Sequence, residues 1–161
     1  MRIYFSGIGG VGLGPLAEIA RDAGYGVLGS DARQSLTTHE LSANGLPVTF
    51  DQPGNHLAEE HAMRPLDWFV YTSALPDDHP ELMQARELGI KCGKRDELIN
   101  LIINEKNLKL IAIAGTHGKT TTTAMMVWLF LQLNIPVSYS IGSGISFGPS
   151  GKFDPLSHYF I

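Results

Sequence analysis

Short apolar runs alternate along this chain with longer stretches whose apolar residues recur at helical spacing. The runs that predict β-strands are Ile3 to Phe5, Val27 to Leu28, Val48 to Phe50, Trp68 to Tyr71, Ile90 to Cys92 and Leu110 to Ala114. Alternation of strands with helices is typical of a parallel sheet covered by crossover helices. The pattern therefore predicts an α/β fold.

Three segments between these runs predict the covering helices. In the first segment, positions i, i+3, i+4 and i+7 are occupied by Leu16, Ile19, Ala20 and Ala23. This spacing places the four side chains on one helical face. The other two helices are expected over roughly 80–89 and 96–104, each with an apolar face toward the sheet.

A polar stretch from Asn104 to Lys109 precedes a fresh apolar run, and we place a domain boundary there. The expected units are a parallel-sheet domain at residues 1–107 and the beginning of a second domain at residues 108–161. The chain stops on Tyr159-Phe160-Ile161, which predicts a strand with a free hydrophobic edge. Because such an edge invites aggregation, we expect the chain to be a fragment of a longer protein.

Composition excludes several classes of protein. With 17% charged residues and a formal net charge of -4, the chain lacks the basic excess of a nucleic-acid-binding protein. Its single cysteine, Cys92, excludes an internal disulfide and a cysteine-rich zinc site, as is typical of the cytoplasm. The most apolar run, Ala124 to Leu133, is about half as long as a membrane span. It predicts a helix that is buried on several sides but lacks its outer cover in this chain, and no membrane partner is expected.

The first glycine-rich segment follows the first strand and opens the first helix. Residues Gly7-Ile8-Gly9-Gly10-Val11-Gly12 satisfy G-x-G-x-x-G, and Asp31 ends the second strand. In a Rossmann-like domain this pattern lets a diphosphate approach the backbone, while the acidic side chain accepts hydrogen bonds from a ribose. The spacing leaves open whether the ligand is an adenine dinucleotide or a uracil sugar nucleotide.

The second glycine-rich segment lies between a predicted strand and the apolar helix. Its residues are Gly115, Thr116, His117, Gly118, Lys119, Thr120 and Thr121. Backbone amides of such a P-loop hold the phosphates of ATP, Lys119 neutralises their charge as the predicted catalytic residue, and the Thr120 hydroxyl binds Mg²⁺. The common pattern would place its first glycine where Ile113 stands, so this loop is shorter. The second unit is therefore interpreted as the start of a P-loop ATPase domain.

The two glycine-rich segments together resemble those of the Mur ligases of peptidoglycan synthesis. Further similarity lies in Gly29-Ser30-Asp31, Tyr71-Thr72-Ser73-Ala74, Pro80-Glu81-Leu82 and Glu87-Leu88-Gly89-Ile90. The resemblance covers essentially the whole chain. It implies a first domain that binds UDP-N-acetylmuramate and a second that binds ATP and Mg²⁺. ATP would phosphorylate the muramate carboxylate, and L-alanine would attack the acyl phosphate to form an amide.

The resemblance also implies which residues bind the UDP sugar. This set consists of Gly7, Gly9, Gly10, Val11, Gly12, Ser30, Asp31, Thr72 and Ser73. Relatives usually have a Gly-His pair after the third strand, where this chain has Asp51-Gln52. The remaining magnesium and adenine ligands are expected after Ile161, so we expect no turnover by these 161 residues alone.

Three alternatives remain open at this stage. A sister ligase that attaches a recycled tripeptide to UDP-N-acetylmuramate shares the second loop, whereas the first loop favours the alanine-adding branch. A NAD-linked oxidoreductase would use the first loop alone, and a non-catalytic nucleotide-binding module would use either. The sequence does not indicate an oligomeric state.

Overall fold

The structure is a computed structural model that describes residues 1–50 and 53–161. The first unit contains β1 (Arg2–Ser6), α1 (Gly14–Asp22), β2 (Gly26–Ser30), α2 (Leu36–Ala43), β3 (Val48–Thr49), α3 (Asn55–Met63), β4 (Trp68–Tyr71), α4 (Pro80–Glu87), β5 (Lys91–Lys94) and α5 (Arg95–Glu105). The second contains β6 (Lys109–Leu110), α6 (Lys119–Gln132), β7 (Tyr139–Ser140), β8 (Gly151–Lys152) and β9 (Tyr159–Phe160).

The first five strands form one parallel sheet in the order β3-β2-β1-β4-β5, which confirms the predicted α/β fold. The chain winds outward from β1 to β3 and then crosses to β4 on the other side of β1. Ligands of such sheets bind at the carboxyl ends of the strands, where the winding reverses. In this chain Ser6 of β1 and Tyr71 of β4 are paired at that position.

Both faces of the sheet are buried. Because successive side chains of a strand point to opposite faces, neighbouring residues of β1 enter different cores. Ile3 and Phe5 of β1 pack in a core that includes residues of α1 and α5. Tyr4 packs on the opposite face with residues of α3 and α4. Tyr4 and Phe5 are both fully buried, and burying a side chain such as Phe contributes roughly 1.5–3 kcal/mol.

Helices α2 and α3 are additions that apolar spacing did not predict. In α2 the buried residues are Thr38 and Leu41, which is too few to produce a visible helical period. Local polar chemistry starts the helix instead, because the Ser35 and Thr38 side chains each bond the other's backbone in a capping box. The sequence difference at Asp51-Gln52 lies outside the described residues.

The second unit is built from two small strand pairs and α6. Strand β6 pairs in parallel with β9, which confirms a strand at the end of the sequence. The expected free edge is wrong, because the other side of β9 is bonded to Ser138. The predicted strand from Leu110 to Ala114 is shorter than expected. It ends at Leu110 because its pairing with β9 does not extend further; the last bond to that strand runs from the Ile111 amide to the Phe160 carbonyl.

Helix α6 is buried on one side only, so the expectation of burial on several sides is wrong and the expected gap in its outer cover is confirmed. Val127 is its buried residue, and it packs with Val137 and Tyr139. On the other side Met125 is 66% and Trp128 is 48% exposed. The reason is that the small strand pairs cover one face, and no other element within residues 1–50 and 53–161 covers the opposite one. The helices within residues 1–50 and 53–161 lack the length and apolar character of a membrane span.

The two units share a hydrophobic core across the predicted boundary. Leu108, Phe153 and Phe160 belong to the same buried cluster as residues of β1 and α1. The backbones also approach closely, since a Cβ built on Gly151 would lie 2.7 Å from the Pro15 carbonyl oxygen. The domain boundary near residue 107 stays a prediction, and the apolar core packs across it.

Candidate nucleotide-binding site

The first glycine loop is fastened to the end of β2. The amides of Gly7 and Ile8 both donate to the Ser30 carbonyl at 2.9 Å. Gly7 has φ +81°, a left-handed conformation that glycine adopts without steric cost. The Gly10 amide then donates to the Gly7 carbonyl at 3.0 Å. Several amides of the loop are therefore used to shape the loop itself.

Asp31 contributes a further fastening. Its Oδ2 accepts a hydrogen bond from the Gly9 amide at 2.8 Å, and its Oδ1 accepts one from the Arg33 amide at 3.3 Å. The side chain predicted to hold a ribose thus also holds the glycine loop. A carboxylate has about four acceptor positions, so Asp31 retains capacity for a hydroxyl donor.

Val11 and Gly12 carry the amides that remain available. Neither amide has an acceptor among the described residues, and the Val11 side chain is 80% exposed. Both residues lie just before Leu13, the N-cap residue of α1. Amides at a helix N-terminus lack intrahelical partners and lie at the positive end of the helix dipole, so they form a site suited to an anion.

A pocket of about 400 Å³ opens in front of this loop, where the ends of β1, β4 and β5 meet. Its walls are formed by Gly7, Gly10, Val11, Gly12, Leu13, Tyr71, Thr72, Ser73, Lys94, Arg95 and Asp96. The structure thus brings Thr72 and Ser73 together with the loop, as predicted. Gly9, Ser30 and Asp31 do not line this pocket. They fasten the loop to the end of β2, through the Gly9–Asp31 bond and the amides that donate to the Ser30 carbonyl.

Lys94 and Arg95 are the site residues that sequence reasoning missed. They stand at the carboxyl end of β5, so the position of that strand beside β4 carries them to the pocket. Arg95 lies over the glycine loop, 3.7 Å from a Cβ built on Gly12, and its Nη2 donates to Ser140 Oγ of the second unit at 3.1 Å. A guanidinium is well suited to phosphate oxygens. Two adjacent basic residues at a strand end were the signal available in the sequence.

The second glycine loop turns at two glycines and leads directly into α6. Gly115 and Gly118 have φ values of +154° and +78°, and α6 begins directly after Gly118. Lys119 folds back over the loop, where its Nζ donates to the Gly115 carbonyl at 2.6 Å and to the Thr116 carbonyl at 3.3 Å. The ammonium group therefore lies inside the loop, near the first amides of α6.

The hydroxyl groups after Lys119 differ in their engagement. Thr123 Oγ1 donates to the Lys119 carbonyl at 2.9 Å, whereas the Thr120 hydroxyl has no partner within the described residues and is exposed. An exposed hydroxyl in the first helical turn fits an oxygen ligand of Mg²⁺. The residues that the structure describes contain no group of three His, Cys, Asp or Glu side chains able to hold a metal. His117 is an exposed loop residue.

A second pocket, of about 480 Å³, lies between α1, α2 and the segment 143–150. Glu18 and His39 are among its lining residues. Burial raises the pKa of Glu18, and this effect outweighs the hydrogen bond that its Oε1 accepts from Asn44 at 3.1 Å. This pocket was not foreseen from the sequence, because it forms where segments distant in sequence meet.

Comparison with known proteins finds similarity over most of the chain. Residues 2–107 match the model of a family described as "Mur ligase family, catalytic domain". The UDP-N-acetylmuramate–L-alanine ligase of Clostridium novyi is 38% identical over 160 residues, which are 99% of this chain and 33% of that protein. The chain thus spans about a third of the length of this curated relative.

Two solved structures resemble the fold. The crystal structure of UDP-N-acetylmuramate–alanine ligase from Thermotoga maritima gives a TM-score of 0.75 at 28% identity, over 88% of this chain and 32% of that one. The UDP-N-acetylmuramate:L-alanyl-γ-D-glutamyl-meso-diaminopimelate ligase of Neisseria meningitides gives 0.81 at 27% identity, over 99% of this chain and 51% of that one.

Proposed function

This chain belongs to the Mur ligase family, and from that membership we propose that it binds UDP-N-acetylmuramate and ATP in the ligation of L-alanine to the muramate carboxylate. The observation that carries the proposal is the pocket at the ends of β1, β4 and β5, which combines free loop amides with two cations. The curated relative of Clostridium novyi is named as an alanine ligase, which supports L-alanine as the amine.

The first unit is proposed to hold the UDP sugar by its diphosphate. The amides of Val11 and Gly12 would donate to the phosphate oxygens, and the side chains of Lys94 and Arg95 would neutralise their charge. Charge-assisted hydrogen bonds from backbone amides and guanidinium groups are shorter and stronger than neutral ones. A diphosphate without this neutralisation would lose water and gain little in return.

The uridine is proposed to lie beside the same pocket. Asp31, already bonded to Gly9, would accept a hydroxyl of the ribose, with Thr72 and Ser73 near the base. In this proposal Ser30 and Gly9 belong to the support of the loop, because Ser30 is fully buried. The roles of Gly7 and Gly10 are to shape the wall of the pocket.

The second unit is proposed to hold ATP at residues Gly115 to Thr121. Lys119 would turn from the loop carbonyls toward the phosphates, and the Thr120 hydroxyl would hold Mg²⁺, which when bound neutralises charge on the transferred phosphoryl group. A carboxylate resists attack by an amine until one of its oxygens becomes a phosphate leaving group. The task of the chain's own residues is thus to position two substrates and neutralise their charge.

Ligand titration tests this proposal. Isothermal titration of the chain with UDP-N-acetylmuramate is expected to show binding, with NAD as the comparison ligand. Arg95→Ala should raise the Kd about 10- to 100-fold, since a hydrogen bond to a charged group contributes about 1.5–3 kcal/mol. Arg64→Ala is the matched control, because Arg64 is exposed and lies away from this pocket.

Each result has a distinct meaning. Binding of NAD without binding of the UDP sugar would refute the ligase proposal in favour of an oxidoreductase domain. Equal affinities of Arg95→Ala and Arg64→Ala for the UDP sugar would remove Arg95 from the site.

The sister reaction with a tripeptide is the second candidate function, supported by the structural match to the Neisseria ligase. Comparing L-alanine with the tripeptide as the amine substrate of the whole protein decides between them.

A further inference from the structure

Glu81 is a fully buried carboxylate beneath the first glycine loop. It stands in the first turn of α4, after Pro80, and faces the carboxyl ends of β1 and β2. Placing a carboxylate out of water costs several kcal/mol unless hydrogen bonds replace its hydration. The hydrogen-bond donors around Glu81 must therefore offset the cost of its desolvation.

Three hydroxyl groups donate to this carboxylate. Tyr4 Oη donates to Oε1 at 2.9 Å, whereas Ser6 Oγ and Ser30 Oγ donate to Oε2 at 2.6 and 2.7 Å. The two oxygens therefore bind different parts of the sheet. Oε1 holds a residue in the middle of β1, and Oε2 holds the last residues of β1 and β2.

The residues held by Oε2 carry the glycine loop. Ser6 directly precedes Gly7, and the Ser30 carbonyl accepts the amides of Gly7 and Ile8 at 2.9 Å. The residue after Ser30 is Asp31, whose carboxylate accepts the Gly9 amide. Movement of either serine would therefore shift the start of the loop, and the Val11 and Gly12 amides with it.

We propose that Glu81 is a positioning residue for the sugar-nucleotide diphosphate, because its Oε2 locks the two strand ends from which the anion-binding loop is suspended. The proposal rests on the proposed function of that loop. Binding groups must be held within about 0.5 Å of their productive positions by supporting hydrogen bonds. Glu81 supplies this support from the side of the sheet opposite α1, without touching the ligand.

A purely structural role for Glu81 makes a different prediction. An acidic residue in the first turn stabilises a helix through its dipole, and hydroxyls bonded to a buried carboxylate stabilise the fold wherever they lie. In that case, loss of the Tyr4 hydroxyl and loss of the Ser6 hydroxyl would have the same consequences. The proposal instead predicts that the two losses differ in their effect on ligand binding.

The test compares Ser6→Ala, Glu81→Gln and Tyr4→Phe in the whole chain. Kd values for UDP-N-acetylmuramate and for ATP with Mg²⁺ are measured by isothermal titration, and stability by urea unfolding. Ser6→Ala and Glu81→Gln should weaken binding of the UDP sugar about tenfold, which corresponds to about 1.4 kcal/mol. Their affinity for ATP should stay unchanged. Tyr4→Phe should keep the UDP-sugar Kd within about twofold, although it too loses a bond to Glu81.

Equal weakening by Ser6→Ala and Tyr4→Phe, or unchanged affinity in both Ser6→Ala and Glu81→Gln, would overturn the positioning role while the proposed function stands. Failure of the unmodified chain to bind the UDP sugar would overturn the proposed function and this inference together. If Glu81→Gln does not fold, the comparison of Ser6→Ala with Tyr4→Phe decides the question alone.

Discussion

Replacement of Gly9 by alanine tests whether the glycine loop depends on contact with α2. A Cβ built on Gly9 would lie 2.6 Å from Thr38 Cγ2 and 2.9 Å from Asp31 Oδ2. Neither neighbour can retreat without loss, because Thr38 is buried and caps α2 while Asp31 bonds the Gly9 amide. The loop itself must therefore shift away from α2.

The expected cost follows from these contacts. Overpacking of a well-packed region destabilises by about 1–3 kcal/mol, so Gly9→Ala should lower the free energy of unfolding by about 2 kcal/mol. For a chain of this size that corresponds to a melting temperature lower by about 4–8 °C. Gly12→Ala is the matched control, since its Cβ would meet Arg95 Cδ at 3.7 Å, an ordinary contact.

Urea unfolding followed by circular dichroism measures both variants, and a double-mutant cycle locates the clash. Thr38→Ser removes the obstructing methyl group and keeps the hydroxyl that caps α2. In the Gly9→Ala background this second change should cost less than in the unmodified chain. The reasoning is refuted if Gly9→Ala is as stable as Gly12→Ala, or if the effects of Gly9→Ala and Thr38→Ser simply add.

Three further predictions concern charged and reactive groups. Lys119→Met should weaken ATP binding about tenfold or more, since Nζ lies inside the loop. Titration with ATP in the presence of Mg²⁺ measures the Kd, and the control Lys109→Met should bind ATP as the unmodified chain does. Burial raises the pKa of the Cys92 thiol, so iodoacetamide should alkylate it more slowly at pH 8 than in the chain unfolded by guanidinium; equal rates would contradict this. Burial also raises the pKa of Glu18 in the folded state. The folded state therefore loses stability as the pH rises from the pKa of Glu18 in the unfolded chain through its higher pKa in the folded chain. Glu18→Gln should therefore be more stable than the unmodified chain at pH 7, with the difference vanishing below about pH 4, and a pH-independent difference in urea unfolding would argue against it.

The elements predicted from sequence are those whose evidence is local. Strands β1 and β4 are continuous apolar runs, and α1 has a regular apolar face, so short windows of sequence reveal them. Helix α2 escaped prediction because its start depends on the reciprocal bonds of Ser35 and Thr38 rather than on an apolar period. The missing outer cover of α6 was expected, but its burial on the other sides was overestimated, since an apolar helix indicates burial without indicating which elements supply it.

In the candidate site, too, local motifs were predicted, whereas contacts between residues distant in sequence were missed. The glycine loops are contiguous motifs, and their residues were identified from spacing alone. Arg95 was missed because it is distant in sequence from Gly12 and reaches the loop through the order of the strands. The bond from the Gly9 amide to Asp31 was missed because the motif assigns an acidic residue to a ribose and carries no information about its other partners.

The core shared between the two units has a consequence for motion within the chain. Phe153 and Phe160 fill space between the helices beside the first sheet, so a hinge rotation of the second unit would withdraw both rings into water. Fully burying one such ring contributes roughly 1.5–3 kcal/mol, which makes any open arrangement rare. The two glycine loops are therefore held at a fixed separation, because the two units move as one rigid body. Heat should therefore melt both units in one transition.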